Sequence, residues 1–133
     1  MKARVLCAAL LCAVMFLGGC PSSSDDDDLD DVIVRGTWEI TGFFERGDDD
    51  TNDFDDYIFT FQPSGKVLAT HFALSRTGDW DAQDGDTRFS LFFGLGWPLE
   101  KLNINWVVDS YDDENLYMHE AKDLSTHVRF ERR

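Results

Sequence analysis

The stretch Gly47-Asp48-Asp49-Asp50-Thr51-Asn52-Asp53-Phe54-Asp55-Asp56 gathers six carboxylates and an amide oxygen, ligand chemistry suited to a hard cation such as calcium. Asp48, Asp50 and Asn52 alternate as calcium ligands do in a loop, and Asp53 completes the candidate set. An EF-hand is excluded, because Asp53 stands where the turn needs Gly and Phe59 where a bidentate Glu belongs. A charge run is ordinarily a solvated surface, so the expectation is an exposed acidic loop, with calcium binding at these four residues as the alternative. His71, His119 and His127 lie far apart with no Cys partner or close His-His spacing, so they are expected as exposed strand residues. A metal site would require the three to meet at one end of a barrel.

Nucleophilic catalysis has no foothold. There is no Gly-x-Ser-x-Gly elbow and no Ser-His-Asp order in an identifiable context. The abundant carboxylates sit among other carboxylates in loops, where water solvates them and nothing shifts their pKa toward acid–base work. Gly94-Leu95-Gly96 lacks the following Gly of a phosphate-binding loop. The expectation is a protein that is not an enzyme and holds no cofactor. Trp97, beside Gly96 and Pro98 in a connecting segment, is the leading candidate for a binding contact, because an aromatic there lines a barrel mouth or a partner surface.

Cys20 carries a different chemistry. A basic start (Lys2, Arg4) precedes an uncharged apolar run from Val5 to Leu17, too short to span a bilayer as a helix. The run ends in Leu17-Gly18-Gly19-Cys20, which resembles the lipobox of bacterial lipoproteins. That resemblance implies removal of residues 1–19 and acylation of the Cys20 thiol. Cys7 and Cys12 would leave with the signal, so no disulfide could form within the mature chain. Several acyl chains on one cysteine anchor a protein stably, whereas a single chain binds only marginally. Residues 20–31, with Pro21-Ser22-Ser23-Ser24 and then a nearly continuous Asp run, are too polar and too like-charged to fold and are expected as a disordered tether. Ser24-Asp25-Asp26-Asp27-Asp28 is also similar to the serine-plus-acidic export signal of some Gram-negative lipoproteins. The expected location is the cell envelope, at the outer membrane and exposed on its surface if that signal operates.

The elements that must position these groups begin at residue 32. With 26 acidic against 12 basic residues the net charge is −14, and the mature chain is more negative still because Lys2 and Arg4 are lost. Such a chain repels nucleic acid and has no basic stripe to release counterions. Residues 32–133 suffice for one small domain, stabilised by packing of its Phe and Trp side chains. Short aromatic and β-branched segments separated by Gly, Pro, Asp and Asn predict an all-β domain. Strands are expected at 36–45, 57–62, 67–73, 77–82, 87–93, 104–110, 115–121 and 127–131. Pro63-Ser64-Gly65-Lys66 supplies the fixed and positive φ values of a tight hairpin, and Pro98 opens a short helical turn at 99–102. About eight antiparallel strands in so short a chain favour a closed up-and-down barrel, which leaves no exposed edges, over a two-sheet sandwich. The expected inward set is Trp38, Ile40, Phe59, Phe61, Trp80, Phe89, Leu91, Phe93, Trp106, Val108, Leu116, Met118 and Phe130.

Gly36-Thr37-Trp38 at the start of the first strand is similar to the Gly-x-Trp signature of lipocalins. Together with Tyr57-Ile58-Phe59-Thr60-Phe61, Gly78-Asp79-Trp80, and Leu99-Glu100-Lys101-Leu102-Asn103 before Trp106, it resembles small lipocalin-like lipoproteins of Gram-negative bacteria over most of residues 32–133. The resemblance implies an eight-stranded cup plugged at one end by Trp38, with an Arg of the last strand against it. Arg129 is expected in that role in preference to Arg132, being next to Val128 and Phe130. It also implies a small apolar ligand in the cup. A domain this short and this crowded with aromatic rings leaves the alternative of a filled barrel that contacts an envelope protein.

Overall fold

The computed structural model describes residues 27–133; the expected signal segment, Cys20 and the expected tether up to residue 26 lie outside it. Alternation of apolar and polar side chains along short β-branched and aromatic runs produces strands with one buried face. These are β1 (Trp38–Glu45), β2 (Asp48–Asp49), β3 (Tyr57–Phe61), β4 (Lys66–His71), β5 (Leu74–Gln83), β6 (Arg88–Phe92), β7 (Asn105–Tyr111), β8 (Asn115–Glu120) and β9 (Asp123–Arg132). β1 and β3 to β9 form a closed antiparallel barrel in up-and-down order, β9 returning to pair with β1, and β2 is a two-residue addition to the end of β1. The expected eight-strand barrel is therefore present.

The expected inward residues are buried, apart from Val108, which is half-buried. Phe59, Phe61 and Phe130 meet edge to face with ring centroids 5.4 to 6.0 Å apart, and Trp80 stacks on Phe89 at 5.8 Å. Simple alternation fails in β1. The register against β9 shifts between Ile40 and Gly42, and this bulge turns Phe43 into the core after Trp38 and Ile40. Barrel closure is narrow at two seams. β1 meets β3 through the single pair Trp38 and Phe59, and β6 meets β7 over three pairs. Two 3-10 turns, Thr51–Phe54 before β3 and Leu99–Leu102 before β7, add the buried side chains Phe54, Leu99 and Leu102.

The hairpin at Pro63–Lys66 forms as expected, with Gly65 at φ +92° and its N–H donating to Gln62 O at 3.0 Å. The ordered region reaches further toward the N-terminus than expected. Leu29–Ile33 form a short helix, α1, so Leu29, Asp30 and Asp31 are ordered and the folded domain begins at Leu29. The reason is visible in the spacing: Leu29, Val32 and Ile33 recur at i, i+3 and i+4, all three are buried, and Asp30 and Asp31 face solvent.

Candidate functional site

α1 covers the barrel end at which β1 begins. Trp38 lies beneath it, fully buried, and donates its indole N–H to Ile33 O at 2.9 Å. The arginine against this Trp is Arg132, whose guanidinium carbon sits 4.6 Å from the ring centroid while Nη2 donates to Val32 O at 3.2 Å. Arg129 does not take the plug role. It lies on the outer face over Tyr117, at 5.2 Å, and pairs with Glu131. Thr126, Val128 and Phe130 point inward, so period-two alternation puts Arg132 on their side and Arg129 on the other. Adjacency to inward residues argued for the wrong face, and the parity that identifies Arg132 was already in the sequence.

At the opposite end the acidic loop closes onto Lys101. Its Nζ lies 2.8 Å from Asp53, 3.0 Å from Asp50 and 3.4 Å from Glu45, with the Phe43 ring 5.9 Å away. Burial works against this ammonium, but the hydrogen bonds to Asp53 and Asp50 more than offset it and raise its pKa above the ordinary lysine value. The four candidate calcium ligands are not brought together. Asp50 and Asp53 hold Lys101, Asp48 is exposed in β2, and Asn52 is exposed in the 3-10 turn. A lysine from a distant segment already supplies the positive charge that calcium would have brought in the alternative reading of this loop, and the two carboxylates it holds are only partly solvated. A lone Lys between Leu99 and Leu102 in so acidic a chain was the available signal.

The same end carries an apolar rim. Trp97 and Leu95, in the connection after β6, are 64% and 91% exposed, and Phe72 and Leu74, around the β4–β5 turn, are 74% and 75% exposed. Arg76 ties the two segments together. Its guanidinium donates to the carbonyls of Phe93, Leu95 and Gly96 at 2.8, 2.7 and 3.2 Å, which holds the loop bearing Trp97 beside β5. A methyl group on Gly96 would lie 2.5 Å from that guanidinium, and φ there is +130°, so this position suits glycine. Trp97 is exposed in its connecting segment, where the sequence placed it, and Arg76, which sequence reading missed, sits on the inward side of a strand beyond the point where the core ends.

The histidines do not meet as a triplet. His71 stacks on Tyr57 at 4.6 Å, on β4, whereas His119 and His127 are directly opposed on β8 and β9. Among the described residues the carboxylates that converge are Asp28, Asp30 and Asp31, at the α1 end and exposed. Asp86 above all, then burial and the neighbouring Asp30, Asp31 and Asp27, push the Asp28 pKa up. That is mutual repulsion between solvated groups.

No family model and no curated protein matches the sequence. Among solved structures the barrel is similar to the crystal structure of a DUF4847 family protein from Bacteroides vulgatus ATCC 8482, with a TM-score of 0.61 and 16% identity over 78% of this chain and 96% of that one, a likeness in fold.

Proposed function

We propose that this protein is a non-catalytic lipoprotein of the cell envelope, anchored through Cys20, whose lipocalin-like barrel is a filled scaffold that contacts a protein partner through the rim carrying Trp97. The observation that carries this reading is the occupied interior. Phe59, Phe61, Phe89 and Phe130 fill the barrel with rings in mutual contact. α1 covers one end, and Phe54, Leu99 and Leu102 fill the other. A small apolar ligand in the cup would have to displace packed aromatic rings, so the geometry favours the filled scaffold over the ligand carrier.

The direction of the chain supports the tethered arrangement. α1 and the start of β1 lie at the covered end, so the tether leaves there, and the rim with Phe72, Leu74, Leu95 and Trp97 is at the far end. A lipid anchor on Cys20 would hold the covered end toward the membrane and present the rim outward. Exposed aromatics clustered around a rigid loop are what a partner-binding surface needs.

Native mass spectrometry of the chain purified gently from its own host, compared with its denatured mass, tests the reading. Equal masses are expected. A reproducible excess in the mass range of a small organic molecule would replace the filled scaffold with a ligand carrier. Labelling with radioactive palmitate is expected to mark the wild type and not Cys20→Ala; label retained by the variant, or absent from both, would remove the anchor. Protease added to intact cells is expected to degrade the protein if the acidic run exports it to the surface.

A further inference from the structure

We propose that His119 and His127 are the protein ligands of a divalent transition-metal ion on the outer face of the barrel, with Asp109 as the group that orients His119. Neither residue belongs to the rim or to the acidic loop, so this site stands independently of the proposed function.

The geometry begins with register. His119 of β8 and His127 of β9 are direct cross-strand partners, and Met118 and Val128 beside them are buried, so both histidines project outward. Directly opposed residues of an antiparallel pair have Cβ atoms about 4.5 to 5.5 Å apart. Two imidazole nitrogens bound to one tetrahedral ion at about 2.1 Å each need a separation of about 3.4 Å. Side-chain rotation from opposed Cβ positions reaches that separation without moving the backbone.

Two further contacts prepare the pair. β7 carries a bulge between Val108 and Ser110, and the residue it leaves out of register is Asp109, whose Oδ1 lies 2.7 Å from His119 Nδ1. A carboxylate on Nδ1 fixes the tautomer in which Nε2 carries a free lone pair, the arrangement by which metal-binding histidines are oriented. On the other side, His127 stacks on Phe44 of β1 with centroids 4.8 Å apart and ring planes 19° apart, so one face of this imidazole is already covered. Two imidazoles with no thiolate favour copper(II), nickel(II) or zinc over calcium or magnesium, and copper(II) should bind tightest. The remaining coordination positions would be open to water.

The test uses the full chain with its cysteine thiols alkylated, titrated with copper(II) and followed by electron paramagnetic resonance. One ion per chain is expected, with hyperfine structure from two nitrogens, and a large excess of calcium should not displace it. His119→Gln and His127→Gln should each weaken binding at least about tenfold and remove one nitrogen from the spectrum, while Asp109→Asn should weaken it about ten- to a hundredfold with both nitrogens retained. His71→Gln should bind as wild type does. Circular dichroism establishes that each variant is folded. An oxygen-only spectrum, no bound copper, or binding unchanged when both histidines are replaced would overturn the site.

Discussion

Replacing Lys101 with methionine keeps the length and apolar stem of the side chain and removes the charge that holds the acidic loop. The ammonium makes two charged contacts at 2.8 and 3.0 Å, and a third carboxylate stands at 3.4 Å. A hydrogen bond to a charged group contributes about 1.5 to 3 kcal/mol when well shielded. Here the side chains of Lys101, Asp53 and Asp50 retain 18%, 26% and 31% of their exposure, so water screens the interaction. Discounted for that screening, Lys101→Met should cost about 2 kcal/mol, including the repulsion left between Asp50 and Asp53. With a urea slope of about 2 kcal/mol per molar, the midpoint of unfolding should fall by about 1 M. Fluorescence of the buried Trp38 and Trp106 reports the transition. Calcium makes the test sharper. Millimolar calcium should raise the variant's midpoint by more than the wild type's, because only the variant leaves Asp50 and Asp53 without their lysine, while Asp28, Asp30 and Asp31 are the same in both; at ten times its dissociation constant a ligand adds about 1.4 kcal/mol. The pH dependence has a definite sign. The folded-state pKa of Lys101 is raised above 10.5, so its contribution is fully present below that pH and is lost as pH rises through the higher folded value. The difference between wild type and variant should therefore be constant near neutrality and close only in strong alkali. A variant as stable as wild type, or calcium stabilising both equally, would refute the assignment of Lys101 as the loop's counter-ion.

Arg132→Ala should destabilise the barrel by about 1 to 2 kcal/mol through loss of the contact with Trp38 and of the bonds to Val32 O and Asp113 O, and Arg129→Ala by less; urea midpoints that rank the other way would return the plug role to Arg129. Gly78→Ala places a methyl group 2.6 Å from Phe92 O and from the Phe93 ring, so a loss of about 2 to 3 kcal/mol is expected in thermal or urea unfolding. Asp28 has its pKa raised, chiefly by Asp86, and a raised carboxyl pKa costs stability above its unfolded value; Asp28→Asn should raise the midpoint at neutral pH and converge with wild type in acid. Asp123 is shifted downward, first by the Ser125 hydroxyl, then by the Ser125 N–H and Thr126, so the stability it lends is present above pH 3.8 and lost as pH falls through its lower folded value. Asp123→Asn should flatten that acid limb in urea titrations at successive pH values.

Much of the architecture was legible because strand signals are local. Alternation in Tyr57–Phe61, the turn chemistry of Pro63–Lys66, and the spacing of aromatic runs led to the eight-strand barrel and to most of its inward residues, though not to Phe43, Val67, Ala69 or Val128. The strands that ran longer than expected, β5 from Leu74 and β9 from Asp123, begin in polar or exposed segments whose backbone pairing, and not their side chains, extends the ladder. The short helix at Leu29 was written in the i, i+3, i+4 spacing of its apolar residues but was masked by the acidic run around it. Phe43 escaped because a bulge breaks the period that predicts its side.

What the sequence by itself determined is what depends on neighbours a few residues away: the secondary structure, most of the inward faces and the strand order of a meander, together with the acidic composition. What only the tertiary structure decided depends on segments meeting across the barrel. Lys101 reaches Asp53 and Asp50 from 48 and 51 residues away, Arg76 captures carbonyls of a later loop, and His119 meets His127 because β8 and β9 pair in that register, while a bulge in β7 aims Asp109 at His119. Whether a barrel of this kind is hollow or filled depends on such meetings as well. Interior volume is set jointly by side chains from all eight strands and by the segments that cover the ends, and no local pattern of residues contains that sum.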